Sequence, residues 1–375
     1  MRVLHLFSNC KWTGPAEPAL NMCIALRSQG ITVDFACAPR AGSGFNEIVS
    51  VARAQHIEPL DFMRLYKHRN PIWNFLDARA LRHYLGTTQY DLIHCHLDND
   101  HEITLRATAN LDIPVIRSNH FGTGLPNNRR HRILATRSSA IFEPSLEAEK
   151  SDAVNFNIEP ERLFLIPGAV NTKRFTPKRP LPNMRSQIDI PEDAFLFGIV
   201  ARMQTHRHYE DLFEAFRKLS DIADNAHLVV VGRGTRQQQV AFTPVKRLNL
   251  EDRVHFSGYL EKDAYTGLLH NFDVGLFLTP GTDGTCRASR EIMAMGKPLI
   301  VADRGMLREI INDKAGIITD GSVEELYKAM LQLYQKPKLL QQLAKNAYET
   351  AHSRYTLEYQ AKCIIAAYEK ILLRT

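Results

Sequence analysis

Twelve short apolar runs, separated by segments in which apolar residues recur at helical spacing, constrain the fold of this chain more than any other feature. Strands that alternate with helices predict parallel β-sheets with helices on both faces. The first six runs cover residues 3–7, 33–38, 91–96, 114–118, 140–143 and 163–166, and the second six cover residues 195–201, 228–231, 254–256, 274–278, 299–302 and 316–319.

The two series of runs predict two domains, since 375 residues exceed what one ordinary core accommodates. A proline-rich, basic stretch at 176–187 suits a linker between them. We therefore predict two Rossmann-like, doubly wound domains at residues 1–178 and 179–352, with the ligand site in the cleft between them. Three helices are expected from residue 323 to 373, and the last part, 353–375, is expected to cross back onto the first domain.

Composition bounds the class of protein. Hydrophobic residues make up 44% and charged residues 23%, the balance of a globular chain, and no apolar stretch approaches the about 20 residues that span a bilayer. We expect a cytoplasmic protein whose six cysteines, which form no C-x-x-C pair, are reduced thiols. The net charge of +6 fits anionic small molecules, an acidic membrane surface or no specific partner. Nucleic acid is not expected, because no stretch interleaves basic and aromatic residues.

The segment at 274–303 carries the clearest chemical pattern. A predicted strand leads into a glycine-rich turn and then a helix at about 286–295, whose first N–H groups and positive dipole end suit a phosphate or sugar hydroxyls. Asp283 lies just before this helix, and Glu291 lies about two turns into it. The residues alone equally allow a helix cap at Asp283 and a solvated Glu291.

Other polar residues follow predicted strands. Arg202 and Arg207 come after the strand at 195–201, where two guanidinium groups suit a diphosphate, although solvated surface arginines are the alternative. Gly14 lies in the loop after the first strand and would let backbone approach a ligand closely. His120 ends a strand before a glycine-rich turn, where it could face a ligand or be structural.

Taken in order, these segments resemble the retaining family 4 glycosyltransferases of the GT-B fold, from the first strand to the last helix. The family's Glu-x7-Glu motif corresponds to Asp283-x7-Glu291, followed by MAMGKPLIVAD, and its basic pair corresponds to Arg202 and Arg207. The family's remaining landmarks include LVVVGRG, VHFSGYL and IPGAVNTKRF. The single residues that match landmarks are Gly14, His120, Gly232 and Tyr259.

The resemblance implies transfer of a sugar, with retention of configuration, from a UDP- or GDP-sugar to a hydroxyl of a glycan, lipid-linked sugar or other acceptor. It implies no metal and no other cofactor, and a role in cell-envelope polysaccharide or lipopolysaccharide synthesis. Glu291 would hold the ribose hydroxyls, and His120 would orient the sugar or polarise a hydroxyl. Arg202 and Arg207 would neutralise the departing diphosphate, which develops charge as it leaves. The residues implied to hold the sugar are Asp283, Gly284, Thr285 and Cys286.

Some positions depart from the family pattern. Asp283 is one methylene shorter than the usual Glu, and Arg207-His208 replaces Lys-Gly. Arg287 follows the Thr285-Cys286 pair where the family places an aliphatic residue. We hypothesise that Arg287 meets an anionic group of donor or acceptor, the alternative being an arginine on the helix surface.

Two clusters have other interpretations. The first cluster resembles a metal site. Most of its residues fall in a loop, where no second layer of hydrogen-bonding groups is predicted to orient them as ligands, so no metal is expected there. The basic run 129–132 with Arg137 could contact an anionic acceptor or the acidic inner face of a membrane, or be a solvated helix face. The metal-like cluster comprises His94, His96, Asp98, Asp100 and His101.

Two further classes of function remain open from the sequence. One is another GT-B enzyme, such as a nucleotide-sugar epimerase or hydrolase. The other is a non-catalytic partner subunit that has the fold without the activity. This alternative is prompted by Asp283, which is one methylene shorter than the family's Glu. Release of nucleotide from UDP- or GDP-sugars by the purified protein separates an enzyme from such a partner.

Overall fold

The structure is a computed structural model that describes residues 1–39, 46–280 and 286–374. All twelve predicted runs form strands, which build two parallel six-stranded sheets. The two Rossmann-like domains expected from the sequence are therefore confirmed. Among the described helices, none combines the length and the apolar character that crossing a membrane requires.

Strands alternate with helices along most of the chain, and three helices follow the last strand. The strands are β1 (Arg2–Phe7), β2 (Thr32–Cys37), β3 (Leu92–Cys95), β4 (Val115–Ser118), β5 (Ala140–Glu143), β6 (Leu163–Leu165), β7 (Phe195–Val200), β8 (Ala226–Val231), β9 (Val254–Gly258), β10 (Val274–Phe277), β11 (Leu299–Ala302) and β12 (Gly316–Thr319). The helices are α1 (Ala16–Ser28), α2 (Glu47–Ala54), α3 (Pro71–Leu85), α4 (Asp98–Ala107), α5 (Arg129–Arg137), α6 (Leu146–Phe156), α7 (Tyr209–Ser220), α8 (Thr243–Arg247), α9 (Lys262–Asn271), α10 (Arg287–Ala294), α11 (Leu307–Ile311), α12 (Val323–Gln335), α13 (Pro337–Arg354) and α14 (Leu357–Leu372).

The first compact unit contains the first sheet, in the order β2-β1-β3-β4-β5-β6, together with α14. Every strand pair is parallel, and the strand order reverses beside β1, where doubly wound sheets bind ligands. α14 packs against α1 and buries Ile364, Tyr368 and Ile371, which recur at helical spacing. The last helix therefore completes the core of the first unit.

The second unit contains the second sheet, in the order β12-β11-β10-β7-β8-β9, again parallel throughout. Its central strands are apolar along their whole length, as expected of strands covered on both faces. Gly198 of β7 has no side chain because the ring of Phe272 packs directly onto its backbone, where a Cβ would overlap the ring. The carboxyl ends of β10, β7 and β8 are therefore neighbours at one edge of this sheet.

The stretch predicted as a linker is built into the second unit. The Met184 side chain is buried, and its N–H donates to Asn271 Oδ1 (2.8 Å). The Arg185 guanidinium donates to the carbonyls of Pro191 (3.0 Å) and Ala194 (2.8 Å). The compact units divide after Gly168, before the predicted residue 178, because Val170 and Phe175 are also buried in the hydrophobic core of the second unit.

The other boundary also differs from the prediction. The Val170 N–H donates to the Tyr355 carbonyl (2.7 Å), and Val170 forms a parallel bridge with Thr356. These contacts keep the chain in the second unit through Thr356, so the first unit resumes at Leu357 rather than at residue 353.

Candidate functional site

Two loops at the carboxyl edge of the second sheet pack backbone against backbone. Gly232, which follows β8 with φ +140°, and Gly234 lie so close to the β7 loop that a Cβ at either would overlap the carbonyl oxygens of Ala201 and Met203. The Met203 N–H donates to the Arg233 carbonyl (3.3 Å). The glycines of the GRG segment are thus required by the close approach of the two loops.

The predicted basic pair divides into two environments. Arg202 is exposed and makes no side-chain hydrogen bond or ion pair with any described residue. Arg207 is 5% exposed, and its Nη1 donates to the Pro280 carbonyl (2.6 Å) just beyond β10. The second guanidinium therefore ties the β7 loop to the β10 loop, whereas the first projects into solvent at the same edge.

Sequence reasoning missed a further cation at this edge, Arg233. It is exposed, forms no ion pair with the described residues, and its guanidinium passes over Gly258, where an added Cβ would lie 3.4 Å from Nε. The Gly258 carbonyl accepts from the Gly232 N–H (2.9 Å), and the next side chain, Tyr259, is 64% exposed. The sequence feature that could have indicated this residue is its place between two glycines. In the structure, the close packing of those glycines against the β7 loop fixes the position of Arg233.

The helix after β10 begins close to the predicted place, with Cys286 in a left-handed conformation (φ +46°) immediately before α10. The Cys286 carbonyl accepts from the N–H (3.1 Å) and hydroxyl (2.5 Å) of Ser289, which closes the first turn. The thiol is buried in the hydrophobic core, so a ligand contact at Cys286 would involve its backbone. Asp283, Gly284 and Thr285 lie outside the described residues.

Glu291 is a buried carboxylate rather than a solvated one. It is 3% exposed, its Oε2 accepts from the Tyr265 hydroxyl (2.5 Å), and its Oε1 lies 3.2 Å from Arg287 Nε. Burial and the neighbouring Glu291 carboxylate raise the pKa of Tyr265 well above its usual value. Tyr265 therefore keeps its proton and orients Glu291 from α9. No sequence pattern links the two residues, because helix packing alone brings them together.

Arg290, on the same helix, faces the other way. Its side chain is buried, and the guanidinium carbon lies 4.9 Å from the ring centroid of Tyr355. The Tyr355 hydroxyl donates to the Ile310 carbonyl (2.9 Å). Arg290 is therefore part of the packing of the second unit, whereas Arg287, with a side chain 36% exposed, lies beside Glu291.

In the first unit, the loop after β1 is held from α4. The Ser8 N–H donates to Asp100 Oδ2 (2.7 Å), and the Asp100 N–H donates to Ser8 Oγ (3.1 Å). The loop then turns at Gly14, and the Ala16 N–H donates to the Thr13 carbonyl (2.9 Å) as α1 begins. Gly14 therefore lies between an anchored loop and the first turn of a helix.

His120 follows β4 and is 4% exposed. Its ring stacks on that of His96, with centroids 5.6 Å apart and planes inclined by 21°. Burial, with a contribution from Arg117, lowers the pKa of His120 to about 3, so the imidazole is neutral near neutral pH. Its Nε2 is buried and has no hydrogen-bond partner among the described residues.

Three more buried histidines lie beyond His120, and hydrogen bonds connect them to one another through a tyrosine of the last helix. Ser118 Oγ lies 2.7 Å from His94 Nε2, and His94 Nδ1 lies 2.5 Å from the Tyr368 hydroxyl. That hydroxyl lies 3.3 Å from His5 Nε2, and His5 Nδ1 lies 2.9 Å from His96 Nε2. We call Ser118, His94, Tyr368, His5 and His96 the imidazole chain. Burial lowers the pKa of each of its three histidines, so all are neutral.

The hydrogen-bond partner of Ser118 outside the imidazole chain determines which atom donates in each hydrogen bond of the chain. Ser118 Oγ lies 3.9 Å from Met22 Sδ, where it donates its proton, and therefore accepts from His94 Nε2. Each neutral imidazole has one donor and one acceptor nitrogen, so the direction propagates through Tyr368 and His5. His96 Nδ1, at the far end, is left as an acceptor, and no described residue donates to it.

The residues that resembled a metal site separate into different roles. His94 and His96 belong to the imidazole chain, and Asp100 anchors the β1 loop. Asp98 pairs with Arg117 (2.9 Å), and His101 Nε2 lies 2.7 Å from Ser138 Oγ. Across the part of the chain that the structure describes, no three His, Cys, Asp or Glu side chains converge as a metal site requires.

The turn after His120 rests on two buried carboxyl groups. Asn119 Nδ2 donates to Glu143 Oε2 (2.7 Å), and the Leu125 N–H donates to Asp152 Oδ1 (2.8 Å). Burial and the nearby Asp152 raise the pKa of Glu143, which therefore keeps a proton that it can share with Asp152. Both ends of the glycine-rich turn are fixed by this pair.

Comparison with known proteins agrees with this architecture. Residues 14–174 match the model of Glycosyltransferase Family 4, and residues 182–350 match that of Glycosyl transferases group 1. The chain is 24% identical to the MMP alpha-(1->4)-mannosyltransferase of Mycolicibacterium hassiacum over 75% of its own length, but only 65% of that enzyme's. It is 22% identical to the lipopolysaccharide 1,2-N-acetylglucosaminetransferase of Salmonella typhimurium, over 88% of each chain.

A solved structure with the same fold is that of Anabaena HepE in complex with UDP. It superposes with a TM-score of 0.80 at 17% identity, covering 98% of this chain and 100% of that one. The matched models account for both units in turn, and the parallel sheets are those of the GT-B fold. The chain is thus a member of the GT-B glycosyltransferases, with a Glycosyltransferase Family 4 region followed by a Glycosyl transferases group 1 region.

Proposed function

We propose that this protein transfers a sugar from a UDP- or GDP-sugar to a hydroxyl of a glycan or lipid-linked acceptor, with retention at the anomeric carbon. The observation that carries the proposal is the buried Glu291, oriented by Tyr265, on the helix that follows β10. The Anabaena structure with UDP supports a nucleoside-diphosphate donor, since the fold is shared.

In this proposal the donor is held at the carboxyl edge of the second sheet. Glu291 accepts from the ribose hydroxyls, because a buried carboxylate makes strong charge-assisted hydrogen bonds with them. Arg202 meets the diphosphate, and Arg207 contributes charge while holding the β7 and β10 loops together. Gly232 and Tyr259 line the donor site on the β8 and β9 side.

The sugar itself is assigned to Asp283, Gly284, Thr285 and the backbone of Cys286, where the N-terminus of α10 adds its positive dipole end. Arg287, which lies 3.2 Å from Glu291, meets an anionic group of donor or acceptor. In the first unit, Gly14 lets the β1 loop approach the ligand. Neutral His120 hydrogen-bonds a sugar hydroxyl, as its lowered pKa favours an uncharged role.

The reaction breaks the bond between the anomeric carbon and the diphosphate oxygen and forms a bond from that carbon to the acceptor oxygen. The acceptor's proton passes to the departing diphosphate oxygen on the same face, which gives retention through an oxocarbenium-like state. Charge grows on the diphosphate as it departs, so Arg202 and the α10 N-terminus stabilise the transition state more than the bound donor. No metal or other cofactor enters this scheme.

We also propose that the protein acts in cell-envelope polysaccharide or lipopolysaccharide synthesis, in the cytoplasm or at the inner face of the membrane. The Salmonella relative is a lipopolysaccharide 1,2-N-acetylglucosaminetransferase, which supports this assignment. Because the alignment with the Mycolicibacterium enzyme spans only part of that enzyme, its substrate is not carried over.

A donor screen tests the function directly. Thermal unfolding is measured with UDP-, GDP- and ADP-sugars, since a bound donor raises the melting temperature by mass action. The donor that stabilises is then incubated with hydroxyl acceptors, with and without excess EDTA, and nucleotide release and product anomer are followed by NMR. Release of nucleotide with a retained anomer is expected, unaffected by EDTA. Conversion of the sugar without nucleotide release would indicate an epimerase, and binding without turnover a partner subunit.

A further inference from the structure

The outward face of α3 and the loop before it carry four large exposed apolar side chains. Ile72 is 70% exposed, Phe75 54%, Tyr66 42% and Leu76 39%. Single exposed apolar residues are ordinary on protein surfaces, whereas a contiguous cluster of large ones marks a surface that meets another phase or partner. We define these four side chains, with the cations described below, as the α3 surface.

The exposure follows from helix geometry rather than from a loosely held segment. Ile72, Phe75 and Leu76 lie at positions i, i+3 and i+4, which share one face of an α-helix. The opposite face is buried, and there Asn74 and Asn99 exchange side-chain hydrogen bonds (2.7 and 3.2 Å). The inner face also buries Ala78, Leu81 and Leu85 in the hydrophobic core, so α3 is anchored on that side while Ile72, Phe75 and Leu76 remain exposed on the other.

The inner anchoring also removes the segment's acidic charge from the surface. Residues 62–90 contain one carboxylate, Asp77, which is buried and accepts from the N–H groups of Arg64 and Leu65 (both 3.0 Å). No acidic side chain from this segment therefore lies among the exposed apolar groups.

Cations extend the same face. Arg79 and Arg82 continue the outward stripe of α3, and Lys67 lies in the loop before it; all three are exposed, and none forms an ion pair with a described residue. Arg64 lies over the ring of Trp73 (4.1 Å to the centroid). Arg69 is the exception, since its Nε is 3.0 Å from Glu102. The basic residues of the α3 surface are Arg64, Lys67, Arg69, Arg79 and Arg82.

The geometry points to the α3 surface as the place where this protein docks on a membrane that carries anionic lipid headgroups. Apolar and aromatic side chains on one face enter the boundary between headgroups and acyl chains, and flanking Lys and Arg meet the anionic headgroups. Exposed charge of a single sign complements such a surface.

The basic run on α5, the other candidate from the sequence, is less suited to this role. Arg130 pairs with Glu102 (2.9 Å), and His131 lies 3.2 Å from Asp98 Oδ2. Arg137 donates to the Leu105 carbonyl (2.9 Å). These groups are engaged within the first unit, which leaves Arg129 and Arg132 as the exposed arginines of the run whose side chains make no hydrogen bond or ion pair with a described residue.

Vesicle sedimentation with the full chain tests the inference, and it needs no donor, acceptor or activity. The wild-type protein should sediment with vesicles of phosphatidylcholine containing about one third phosphatidylglycerol, weakly with phosphatidylcholine alone, and less at high salt. Replacing Lys67, Arg79 and Arg82 together by Gln should weaken the partition coefficient about 100-fold. The triple variant Ile72→Ser, Phe75→Ser, Leu76→Ser should weaken it at least about 10-fold.

The double variant Arg129→Gln, Arg132→Gln on α5 is the matched control and should bind like wild type. Circular dichroism and melting temperature should be unchanged in the α3 and α5 variants, because the side chains replaced in them are exposed. The emission of Trp73 should shift to shorter wavelength with the anionic vesicles, measured in a Trp12→Phe background. The inference is overturned if wild type fails to bind anionic vesicles, or if the α5 control loses binding while the α3 variants retain it. A failure here leaves the proposed sugar transfer intact.

Discussion

Both six-stranded sheets are parallel throughout, but their carboxyl edges differ in chemistry. In the first unit the edge is lined by buried, neutral imidazoles, and the charged residues Arg117 and Asp98 form an ion pair with each other (2.9 Å). In the second unit the edge carries the exposed cations Arg202 and Arg233 and the buried carboxylate Glu291.

The difference shows how one architecture can serve two kinds of ligand group. A charged diphosphate is best met by fixed cations and helix dipoles. The second edge combines the start of α10 with the exposed cations Arg202 and Arg233. Neutral imidazoles suit hydroxyl groups, since each supplies one donor and one acceptor without a net charge. In the proposed function, nucleotide recognition therefore belongs to the second unit, and the first contributes hydrogen bonds to uncharged groups.

The largest effect should come from removing the buried carboxylate. Glu291→Ala should lower kcat/KM for the donor by about 100-fold or more, because it removes charge-assisted bonds to the ribose and leaves Tyr265 without its acceptor. Steady-state kinetics measure it, and Glu325→Ala on the exposed part of α12 is the control. Tyr265→Phe, which keeps the carboxylate and removes its orienting bond, should lose about 10-fold. Equal kinetics of Glu291→Ala and wild type would contradict the assignment.

The next largest effect should be on stability and comes from breaking the imidazole chain of the first unit. Tyr368→Phe removes the hydroxyl between His94 and His5 and leaves two buried imidazole nitrogens without a partner. We expect a loss of about 2–4 kcal/mol in the free energy of unfolding, measured by denaturant titration. Tyr327→Phe is the control, since the Tyr327 hydroxyl makes no hydrogen bond with the described residues. A loss no larger than the control's would mean that the chain of hydrogen bonds contributes little.

A smaller effect should separate the two arginines of the basic pair. Arg202→Ala should weaken UDP or GDP binding by about 10-fold, measured by titration calorimetry, without changing the melting temperature of the free protein. Arg207→Ala should lower the melting temperature as well, because it breaks the tie to the Pro280 carbonyl. Arg308→Ala, at an exposed ion pair, serves as control. If Arg202→Ala binds nucleotide like wild type, the diphosphate lies elsewhere.

The smallest expected effect concerns pH, because His120 should add no pH dependence to kcat/KM in the working range. The pKa of His120 is lowered to about 3 by burial beside Arg117, so His120 carries no charge above that pH and cannot produce an acid limb between about pH 5 and 8. His120→Gln should lower kcat while leaving the shape of the kcat/KM profile unchanged over this range. A wild-type limb near pH 6.5 that disappears in the variant would show that the imidazole titrates in the working enzyme.

Much of the fold could be predicted because both sheets are parallel and buried on both faces. Each strand then appears in the sequence as a short apolar run, and all twelve were found. The stretch at 176–187 was misjudged because its prolines and arginines look like those of a linker. Only the contacts of Met184 and Arg185 reveal that it is packed. The position of Glu291 on α10 was likewise predictable, since spacing along one helix is a local property.

The sequence by itself determined the element order, the two sheets and the segments that carry chemical groups, because these depend on patterns within a few residues of one another. Only the tertiary structure decided the environment of each group. It buried Glu291 against Tyr265, turned Arg207 toward the Pro280 carbonyl and aligned His5, His94 and His96 with Tyr368 from the last helix. Hydrogen-bond partners and burial join residues far apart in the chain, and no local pattern records them.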